Sequence, residues 1–341
     1  MKHPDISCAW IATFCAVSIF SVAQAAEAQS VADFYKGKTV TILVGSSPGG
    51  GYDTHARMVG RHIGRFIPGN PNTLVQNMPG GEGFTQVNHL YNIAPKDGTT
   101  FGILQKLLIT APYLKPEAVK YEGPKFNWIG SATGERSVAF LWHTAPQKNL
   151  DDVRKQETIV GGSGDSARLA KVYNTVLDTK FKIIRGYPGT NDVILAMQRG
   201  EVHGMGSYSW SNVPAKNPEW IKDKLIAVLF QGGSKRDRLL PDVPLMTEIV
   251  RGDENRQILD LWTAAESVAR PFALPPGVPA DRVEAIRTAF MTMAQDPEYL
   301  QDAAKTGLEI DARPGQDIHN LYERLENTPP QAIAAARAFE E

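Results

Sequence analysis

Residues 38–57 carry the feature that most constrains the fold, a glycine-rich turn between two apolar segments of different periodicity. The first segment, Val40–Val44, is short and β-branched, as in a strand that is covered on both faces. Residues 45–51, GSSPGGG, end that strand, because proline donates no amide and glycine adopts backbone angles that strands do not use. We predict that a helix follows, capped by Asp53 or Thr54, since apolar residues then recur at helical spacing.

Such a turn directs free backbone N–H groups and the positive end of a helix dipole at one point, so it can bind an anion without a lysine. The same order of strand, turn and helix recurs at 161–166 and at 186–191. One turn of this kind is explained by ordinary turn chemistry. Three of them, at the carboxyl ends of strands in an open α/β sheet, predict a cleft that binds a carboxylate or another small oxyanion.

The first 28 residues are predicted to be a secretory signal peptide. A weakly basic start is followed by the apolar stretch 8–22 and by small residues that offer cleavage sites at Ala25, Ala26 and Ala28. Both cysteines of the chain lie in this segment. The mature protein is therefore expected to be exported, without disulfides, thiol chemistry or a cysteine metal site.

Charge and motifs argue against several kinds of partner. The 36 Lys and Arg residues and 37 Asp and Glu residues leave a formal net charge of −1, which favours neither nucleic acid nor an anionic membrane as a partner. Residues 45–51 lack the Lys-Ser/Thr end of a P-loop, and 161–166 lack the third glycine of a dinucleotide fingerprint. His55 and His62 have no third ligand at a recognisable metal-binding spacing. We expect no cofactor and no metal.

Predicted strands and helices alternate, which is typical of an α/β protein with parallel strands and helical crossovers. The predicted strands are 40–44, 73–77, 99–104, 127–132, 138–142, 158–160, 181–184, 201–207 and 225–230. The predicted helices are 53–66, 84–93, 167–177, 191–199, 281–293 and a closing surface helix at 317–341. The proline-rich segment 271–279 is predicted to be a connection.

The pattern restarts at Thr158, so we expect two similar α/β lobes. We place the crossings between them near 134–138 and 262–268. Lobe 1 is then 29–135 plus 264–341, and lobe 2 is 136–263.

Ligand-binding residues are predicted from the three turns and their surroundings. They are Ser46, Ser47, Gly50, Gly51, Tyr52, Asp53, Ser163, Gly164, Asp165, Ser166, Arg168, Tyr187, Gly189, Thr190 and Ser207. Serine and threonine hydroxyls and loop amides are the expected donors, and Asp53 is expected to organise the first loop. Arg168 is the candidate counter-ion, because a guanidinium binds a carboxylate through two hydrogen bonds and this one follows the second turn. Arg136 is a further candidate.

An exported serine hydrolase is the alternative function. No Gly-x-Ser-x-Gly elbow occurs in the sequence. Ser163 or Ser207 could still meet His203 and an aspartate in space, and sequence alone leaves that open.

Several segments of the mature chain, in order, carry a resemblance to a known family. They are FYKGKTVTILVGSSPGGGYD, NMPGGEGF, PKDGTTFGIL, GGSGDSARLA and RGYPGTNDVILAMQRGEVHG. The chain resembles the periplasmic solute receptors of tripartite tricarboxylate transporters, the TctC or Bug proteins. The resemblance implies a type II periplasmic-binding-protein fold with two hinged lobes, a monomer, and a binding protein rather than an enzyme.

The resemblance also implies a ligand and partners. The loop Pro48–Asp53 and the loop Gly161–Ser166 are expected to hold a ligand carboxylate between them, with Tyr187–Thr190 completing one wall. The solute would pass to membrane permease subunits; a sensor kinase is an alternative partner. Three departures, at residues 45–47, at Arg168 and at His203, favour an aromatic or longer anion over the usual dicarboxylate.

Overall fold

The computed structural model describes residues 29–162, 165–187, 189–233 and 235–340. The predicted signal peptide lies outside these residues, as do Ser163 and Gly164 of the second turn and Pro188 of the third. None of the helices in the described ranges has the length and apolar character needed to cross a membrane.

Eleven strands are present in the described ranges. They are β1 (Thr39–Val44), β2 (Asn72–Asn77), β3 (Thr100–Ile103), β4 (Asn127–Ser131), β5 (Ser137–Trp142), β6 (Thr158–Gly161), β7 (Phe181–Ile184), β8 (Gly204–Ser209), β9 (Ile226–Gln231), β10 (Pro271–Leu274) and β11 (Arg313–Pro314).

Helices cover the faces of the strands. They are α1 (Val31–Tyr35), α2 (Gly51–Ile63), α3 (Phe84–Asn92), α4 (Leu107–Leu114), α5 (Leu150–Lys155), α6 (Asp165–Val176), α7 (Thr190–Gln198), α8 (Asn212–Lys216), α9 (Pro218–Lys222), α10 (Met246–Ile249), α11 (Asp253–Thr263), α12 (Ala280–Met293), α13 (Pro297–Lys305), α14 (Gly315–Glu326) and α15 (Pro330–Arg337). Short 3₁₀ helices lie at Gly81–Gly83, Pro116–Ala118, Gly123–Lys125 and Ala264–Val268.

The strands form two sheets with the same internal order. Sheet A runs β11-β4-β10-β3-β1-β2, and sheet B runs β7-β6-β8-β5-β9. In sheet A, β1 is parallel to β2 and β3, and β10 is inserted antiparallel between β3 and β4. In sheet B, β6 is parallel to β7 and β8, and β5 is inserted antiparallel between β8 and β9. The predicted α/β class with two similar halves is confirmed.

The chain crosses between the sheets twice, and the two crossings lie side by side. One joins β4 to β5, and the other joins α11 to β10. The backbone N–H of Glu135 in the first crossing donates to the carbonyl of Glu266 in the second at 2.6 Å. The predicted crossings near 134–138 and 262–268 lie at these places. The exact lobe boundaries, 29–135 with 264–341 and 136–263, stay a prediction.

The prediction that 271–279 is only a connection is wrong at its first half. Pro271–Leu274 is the inserted strand of sheet A, and Phe272, Ala273 and Leu274 are fully buried. Proline is compatible with a strand when it is the first residue of that strand. The carbonyl of Pro271 accepts a hydrogen bond from the Leu104 amide at 2.8 Å, which joins β10 to the end of β3. The strand was missed because its short apolar run lies in a segment with several prolines, which predict a turn or connection.

Helix ends differ from the predictions in two places. Helix α2 begins at Gly51 with Gly50 as its N-cap, so neither Asp53 nor Thr54 caps it. The predicted helix 317–341 is two helices, α14 and α15. The break lies at Pro329 and Pro330, because proline lacks the amide that a continuous helix needs at that position.

Some elements were not predicted or begin later than expected. Helix α4 was not predicted, because it contains Pro112 and proline is unfavourable in the interior of a helix. Helices α11 and α13 were not predicted either. Strand β8 begins at Gly204 rather than at Glu201. The delay follows a turn at Gly200, whose φ of +78° favours glycine.

Candidate ligand-binding cleft

A cavity of about 350 Å³ lies where the facing edges of the two sheets meet the crossings. Its lining comes from both sheets and from both crossings. The lining residues are Tyr52, Gln105, Lys106, Leu107, Glu135, Ser137, Ser166, Leu169, Thr190, Asn191, Met205, Ser207, Tyr208, Ser209, Asn212, Lys216 and Arg270. In open α/β sheets, ligands bind at the carboxyl ends of the strands, which is where β1, β3, β6 and β8 deliver these residues.

Tyr52, in the first turn of α2, connects the first glycine-rich loop to the crossings. Its hydroxyl accepts a hydrogen bond from the Lys106 amide at 2.9 Å. The guanidinium of Arg270 lies over its ring, 4.4 Å from the centroid, as in a cation–π contact. Burial raises the pKa of Tyr52, against the opposing effect of Arg270, so the phenol is neutral at neutral pH.

Lys106 and Glu135 form an ion pair on the floor of the cavity. Burial by itself would raise the pKa of Glu135, but Lys106 and Arg270 outweigh it and lower the pKa to about 2. Burial likewise works against the Lys106 ammonium, but Glu135 and Glu266 raise its pKa above the ordinary value. Both side chains are therefore charged at neutral pH.

Within the described part of the chain, Arg270 is the cation of this floor that forms no ion pair. Its Nη1 donates to the Ala269 carbonyl at 2.9 Å, and its buried Nε has no hydrogen-bond partner within the described ranges. None of the carboxylates in those ranges forms an ion pair with it, although Arg270 is near enough to help lower the pKa of Glu135. We call Lys106, Glu135 and Arg270 the cleft cluster. These three side chains carry two positive charges and one negative charge, and the carboxyl group of Glu266 lies next to them.

The first turn of α2 adds to the positive potential at this point. A Cβ on Gly51 would lie 3.6 Å from Nη2 of Arg270, so the guanidinium is adjacent to the first residue of the helix. Helix N-termini carry a partial positive charge and unpaired N–H groups. A cation beside a helix N-terminus is electrostatically unfavourable unless an anion binds between them. An anion is therefore most strongly stabilised at this point of the cavity.

His55 supports the helix N-terminus from inside. It is 6 % exposed, and its Nδ1 lies 2.8 Å from the Gly51 carbonyl. Burial, with Arg270 adding to the effect, lowers the pKa of His55 to about 4. The ring is therefore neutral at neutral pH, with the Nδ1 proton donated to Gly51. Its Nε2 is buried without a partner in the described structure.

Glu266 lies behind the cleft cluster in the second crossing and is 3 % exposed. The Ser137 hydroxyl donates to its Oε1. Burial raises the pKa of Glu266, although Lys106 and Ser137 oppose the effect. Glu266 thus ties the second crossing to the start of β5.

The structure brings some of the sequence-predicted residues into the cavity. Tyr52, Ser166, Thr190 and Ser207 line it, from both sheets. Tyr187 and Gly189 lie outside its lining. Ser163 and Gly164 are not among the described residues, and Asp165 is described only as the first residue of α6.

Asp53 lies behind the first loop and holds it. Its carboxylate accepts from the Gly49 amide at 2.8 Å, from Arg57 at 2.9 Å and from Asn77 at 2.8 Å. Burial opposes this, but the hydrogen bonds prevail, with that from Arg57 the largest, and lower the pKa of Asp53. Asn77 also donates to the Ser46 carbonyl at 2.9 Å. This geometry supports the predicted organising role of Asp53.

The other loop residues of the prediction are less engaged. Ser47, Gly50 and Gly51 are exposed at the loop, and the Ser46 hydroxyl is buried with no hydrogen-bond partner in the described structure. Their assignment to the ligand stays a prediction.

Arg168, the predicted counter-ion, lies in a second charge cluster. Its guanidinium is 3.4 Å from Glu82 and 3.5 Å from Glu340, and Lys115 is 3.1 Å and 2.9 Å from the same two carboxylates. We call these four residues the outer cluster. Arg168 is not part of the cavity lining, and its role toward a ligand stays a prediction.

Sequence reasoning missed the three residues of the cleft cluster. Lys106 comes two residues after the predicted third strand, so the rule that ligands bind at carboxyl ends of strands was enough to find it. Glu135 is in a predicted crossing. Arg270 had no such signal, because it precedes a strand that was not predicted.

Comparisons with known proteins give a match to solved structures. No family model matches the chain, and no curated protein matches it. A TctC solute-binding protein from Polaromonas matches 89 % of this chain and 98 % of its own, with 17 % identity and a TM-score of 0.68. MatC from Rhodopseudomonas palustris with bound malate matches 89 % of this chain and 99 % of its own, with 20 % identity and a TM-score of 0.60.

A third structure, an R. palustris protein with adipate, matches 87 % of this chain and 97 % of its own, with 16 % identity and a TM-score of 0.60. At these identities the likeness establishes the fold. The chain has the two-lobed fold of TctC-type periplasmic solute-binding proteins, and the predicted fold is confirmed.

Proposed function

We propose that this protein is a periplasmic solute-binding receptor that captures a small carboxylate between its two lobes. It delivers that solute to the permease subunits of a tripartite tricarboxylate-type transporter. The fold supports this function, because structures of the same fold contain malate in one case and adipate in another.

The observation that carries the proposal is the unpaired guanidinium of Arg270. It lies in a cavity between the lobes, beside the N-terminus of α2, and the carboxylate of the cleft cluster is engaged by Lys106. A ligand carboxylate there gains charge-assisted hydrogen bonds from Arg270 and from backbone amides. Each such bond contributes about 1.5–3 kcal/mol, and a few of them approach the roughly −8 kcal/mol of micromolar binding.

Capture would couple to closure of the lobes about the two adjacent crossings. Arg270 and Glu135 are themselves in the crossings, whereas Tyr52 and Ser207 come from opposite sheets. A ligand held by all of these groups stabilises the closed arrangement over an open one, because only the closed form offers every contact.

Binding fits the site better than hydrolysis. His203 directly precedes β8, and its Nδ1 faces the Ile159 amide at 3.4 Å. Ser207 lies four residues further along an extended strand, which separates the two by about 13 Å at roughly 3.3 Å per residue. A serine–histidine pair needs hydrogen-bond contact, so these two residues do not form one.

Two matched arginine variants test the proposal. Mature protein is unfolded and refolded to remove bound solute, then titrated calorimetrically with citrate, malate, adipate and hexanoate, and with the neutral solute sorbitol. We expect at least one carboxylate to bind, and Arg270→Gln to weaken it about 10- to 100-fold. Arg168→Gln should bind the same carboxylate with nearly the affinity of the wild type.

Binding of sorbitol but of no acid would contradict the carboxylate function. Unchanged affinity in Arg270→Gln, with a loss in Arg168→Gln, would return the counter-ion role to Arg168. Thermal unfolding of both variants shows whether they are folded. Co-purification with permease subunits tests the delivery step separately.

A further inference from the structure

The two walls of the cleft differ in chemistry. The wall formed by sheet A and the crossings carries the charged groups of the cleft cluster. The wall formed by sheet B carries five serine and threonine side chains: Ser137, Ser166, Thr190, Ser207 and Ser209. The Ser137 hydroxyl already donates to Glu266, so toward a ligand it can only accept, and the Ser209 hydroxyl lies 3.2 Å from that of Ser211. A ligand that contacts both walls must therefore present different groups to them.

The hydroxyls converge because of how sheet B is built. Strand β5 is antiparallel to β8, so its first residue, Ser137, pairs with the last residue of β8, Ser209. A Cβ on Gly206 would lie only 2.5 Å from the Cβ of Ala170, so α6 packs directly against β8. This close packing brings the first turn of α6 to the edge where Ser207 lies.

Hydroxyl side chains suit ligand hydroxyls, because both partners can donate and accept, whereas a carboxylate only accepts. A second ligand carboxylate in this cavity would also face Glu135, which Lys106 and Arg270 keep ionised. The cation among the lining residues of sheet B is Lys216, whose side chain is exposed. The amides of Asn191 and Asn212 add further donors and acceptors to that wall.

We propose that the solute is a polyhydroxylated monocarboxylate, with its carboxylate at Arg270 and its hydroxyl groups against the serines of sheet B. This inference rests on the proposed function and narrows it. The cavity of about 350 Å³ is within the range of roughly 300–1,000 Å³ that small-molecule sites occupy. It differs from the aromatic or longer anion suggested by the sequence, because most of the lining residues are polar or charged. The apolar and aromatic side chains of the lining are Tyr52, Leu107, Leu169, Met205 and Tyr208.

Four six-carbon probes separate the possibilities: gluconate, hexanoate, adipate and sorbitol. Gluconate has one carboxylate and five hydroxyls, hexanoate lacks the hydroxyls, adipate replaces them with a second carboxylate, and sorbitol lacks the carboxylate. We expect gluconate to bind refolded wild-type protein at least tenfold tighter than the other three.

The outcomes distinguish the two levels of the proposal. If adipate or hexanoate binds as tightly as gluconate, the proposal of a polyhydroxylated solute is wrong, and the proposed carboxylate-binding function is unaffected. Sorbitol binding as tightly as gluconate overturns the carboxylate receptor. Absence of binding by all four overturns the inference, and citrate and malate then test the receptor by themselves.

A serine pair provides the matched variants. Ser207 lines the cleft, whereas Ser267, an exposed serine of the second crossing, lines a different cavity and donates to the Ala264 carbonyl. Ser207→Ala should weaken the binding of gluconate by roughly tenfold and leave that of hexanoate unchanged, while Ser267→Ala should change neither. An equal loss for both acids, or no loss for gluconate, contradicts the assignment of hydroxyl recognition to this wall.

Discussion

The two charge clusters that lie between the lobes differ in their balance of charge. In the outer cluster, two cations and two carboxylates pair at 2.9–3.5 Å, so each charge has an opposite partner. In the cleft cluster, the carboxylate of Glu135 forms an ion pair with Lys106 but not with Arg270, and the nearby carboxyl group of Glu266 is buried with a raised pKa. A balanced cluster can hold two surfaces together, whereas an unbalanced one in a cavity is suited to bind an anion.

The clusters differ in exposure at one residue. The side chains of Lys106 and Glu135 are 20 % and 15 % exposed, and Lys115, Arg168 and Glu340 of the outer cluster are similar at 15–20 %, but Glu82 is 47 % exposed. Charges that are removed from water interact more strongly and are screened less by salt. Because Glu82 is exposed and both outer carboxylates contact two cations each, disruption of the cleft cluster should cost more stability than disruption of the outer one.

The largest effect is expected from Lys106→Met, which leaves the Glu135 carboxylate without its ion-pair partner. Breaking a buried pair on one side costs about 3 kcal/mol or more, because the remaining charge stays desolvated. Urea unfolding at neutral pH measures the change in the free energy of unfolding. A loss below about 1 kcal/mol would show that the pair is as weak as a surface pair.

Glu135 should contribute to the pH dependence of stability. Its pKa falls from the ordinary 4.5 to about 2 in the folded protein, so the unfolded chain takes up a proton at higher pH than the folded one does. The stabilisation is complete above about pH 4.5 and is lost as the pH falls toward 2, in total about 3 kcal/mol.

Urea unfolding at several pH values in that window, for wild type and Glu135→Gln, measures this contribution. The variant should lose less stability on acidification than wild type. If the free energy of unfolding falls equally with pH in the two proteins, the acid sensitivity comes from groups other than Glu135.

A smaller effect is expected from Lys115→Met in the outer cluster. Its carboxylate partners keep Arg168 as a neighbour, and Glu82 is partly exposed, so the loss should be about 1 kcal/mol or less. The same urea assay measures it, with Lys106→Met as the comparison. A loss as large as that of Lys106→Met would remove the distinction between the two clusters.

The smallest effect concerns salt. On raising the salt concentration from about 0.1 M to about 1 M, the difference between wild type and Lys115→Met should shrink by a few tenths of a kcal/mol, because exposed charges are screened. The difference for Lys106→Met should change less. The reverse order would contradict the exposure argument.

Much of the fold could be predicted because local signals agreed with the final structure. Strand β1 was predicted to within one residue and helix α2 to within two or three residues at each end, since a β-branched run, a glycine-rich segment and a helical period follow one another. Strand β7 was predicted with the same bounds as in the structure. Strand β10 failed, because its stability comes from the two strands on either side rather than from its own four residues.

The site was predicted only in part for a related reason. The turns and Tyr52, Ser166, Thr190 and Ser207 could be found, because the carboxyl ends of strands in an α/β sheet are a known location for ligands. The sequence favoured Arg168, because it follows the second turn, and it contained no signal for Arg270. The partners that distinguish them, Glu82 and Glu340 for the one and Tyr52 for the other, are remote in the chain.

The sequence by itself determined the α/β class, the two halves and their approximate crossings, because these depend on the order and periodicity of neighbouring residues. That the turns bind an anion stays a prediction. Only the tertiary structure decided which charges are balanced. Lys106, Glu135 and Arg270 come from three distant segments, and their net charge matters only once the inserted strand β10 and the two crossings bring them into one cavity.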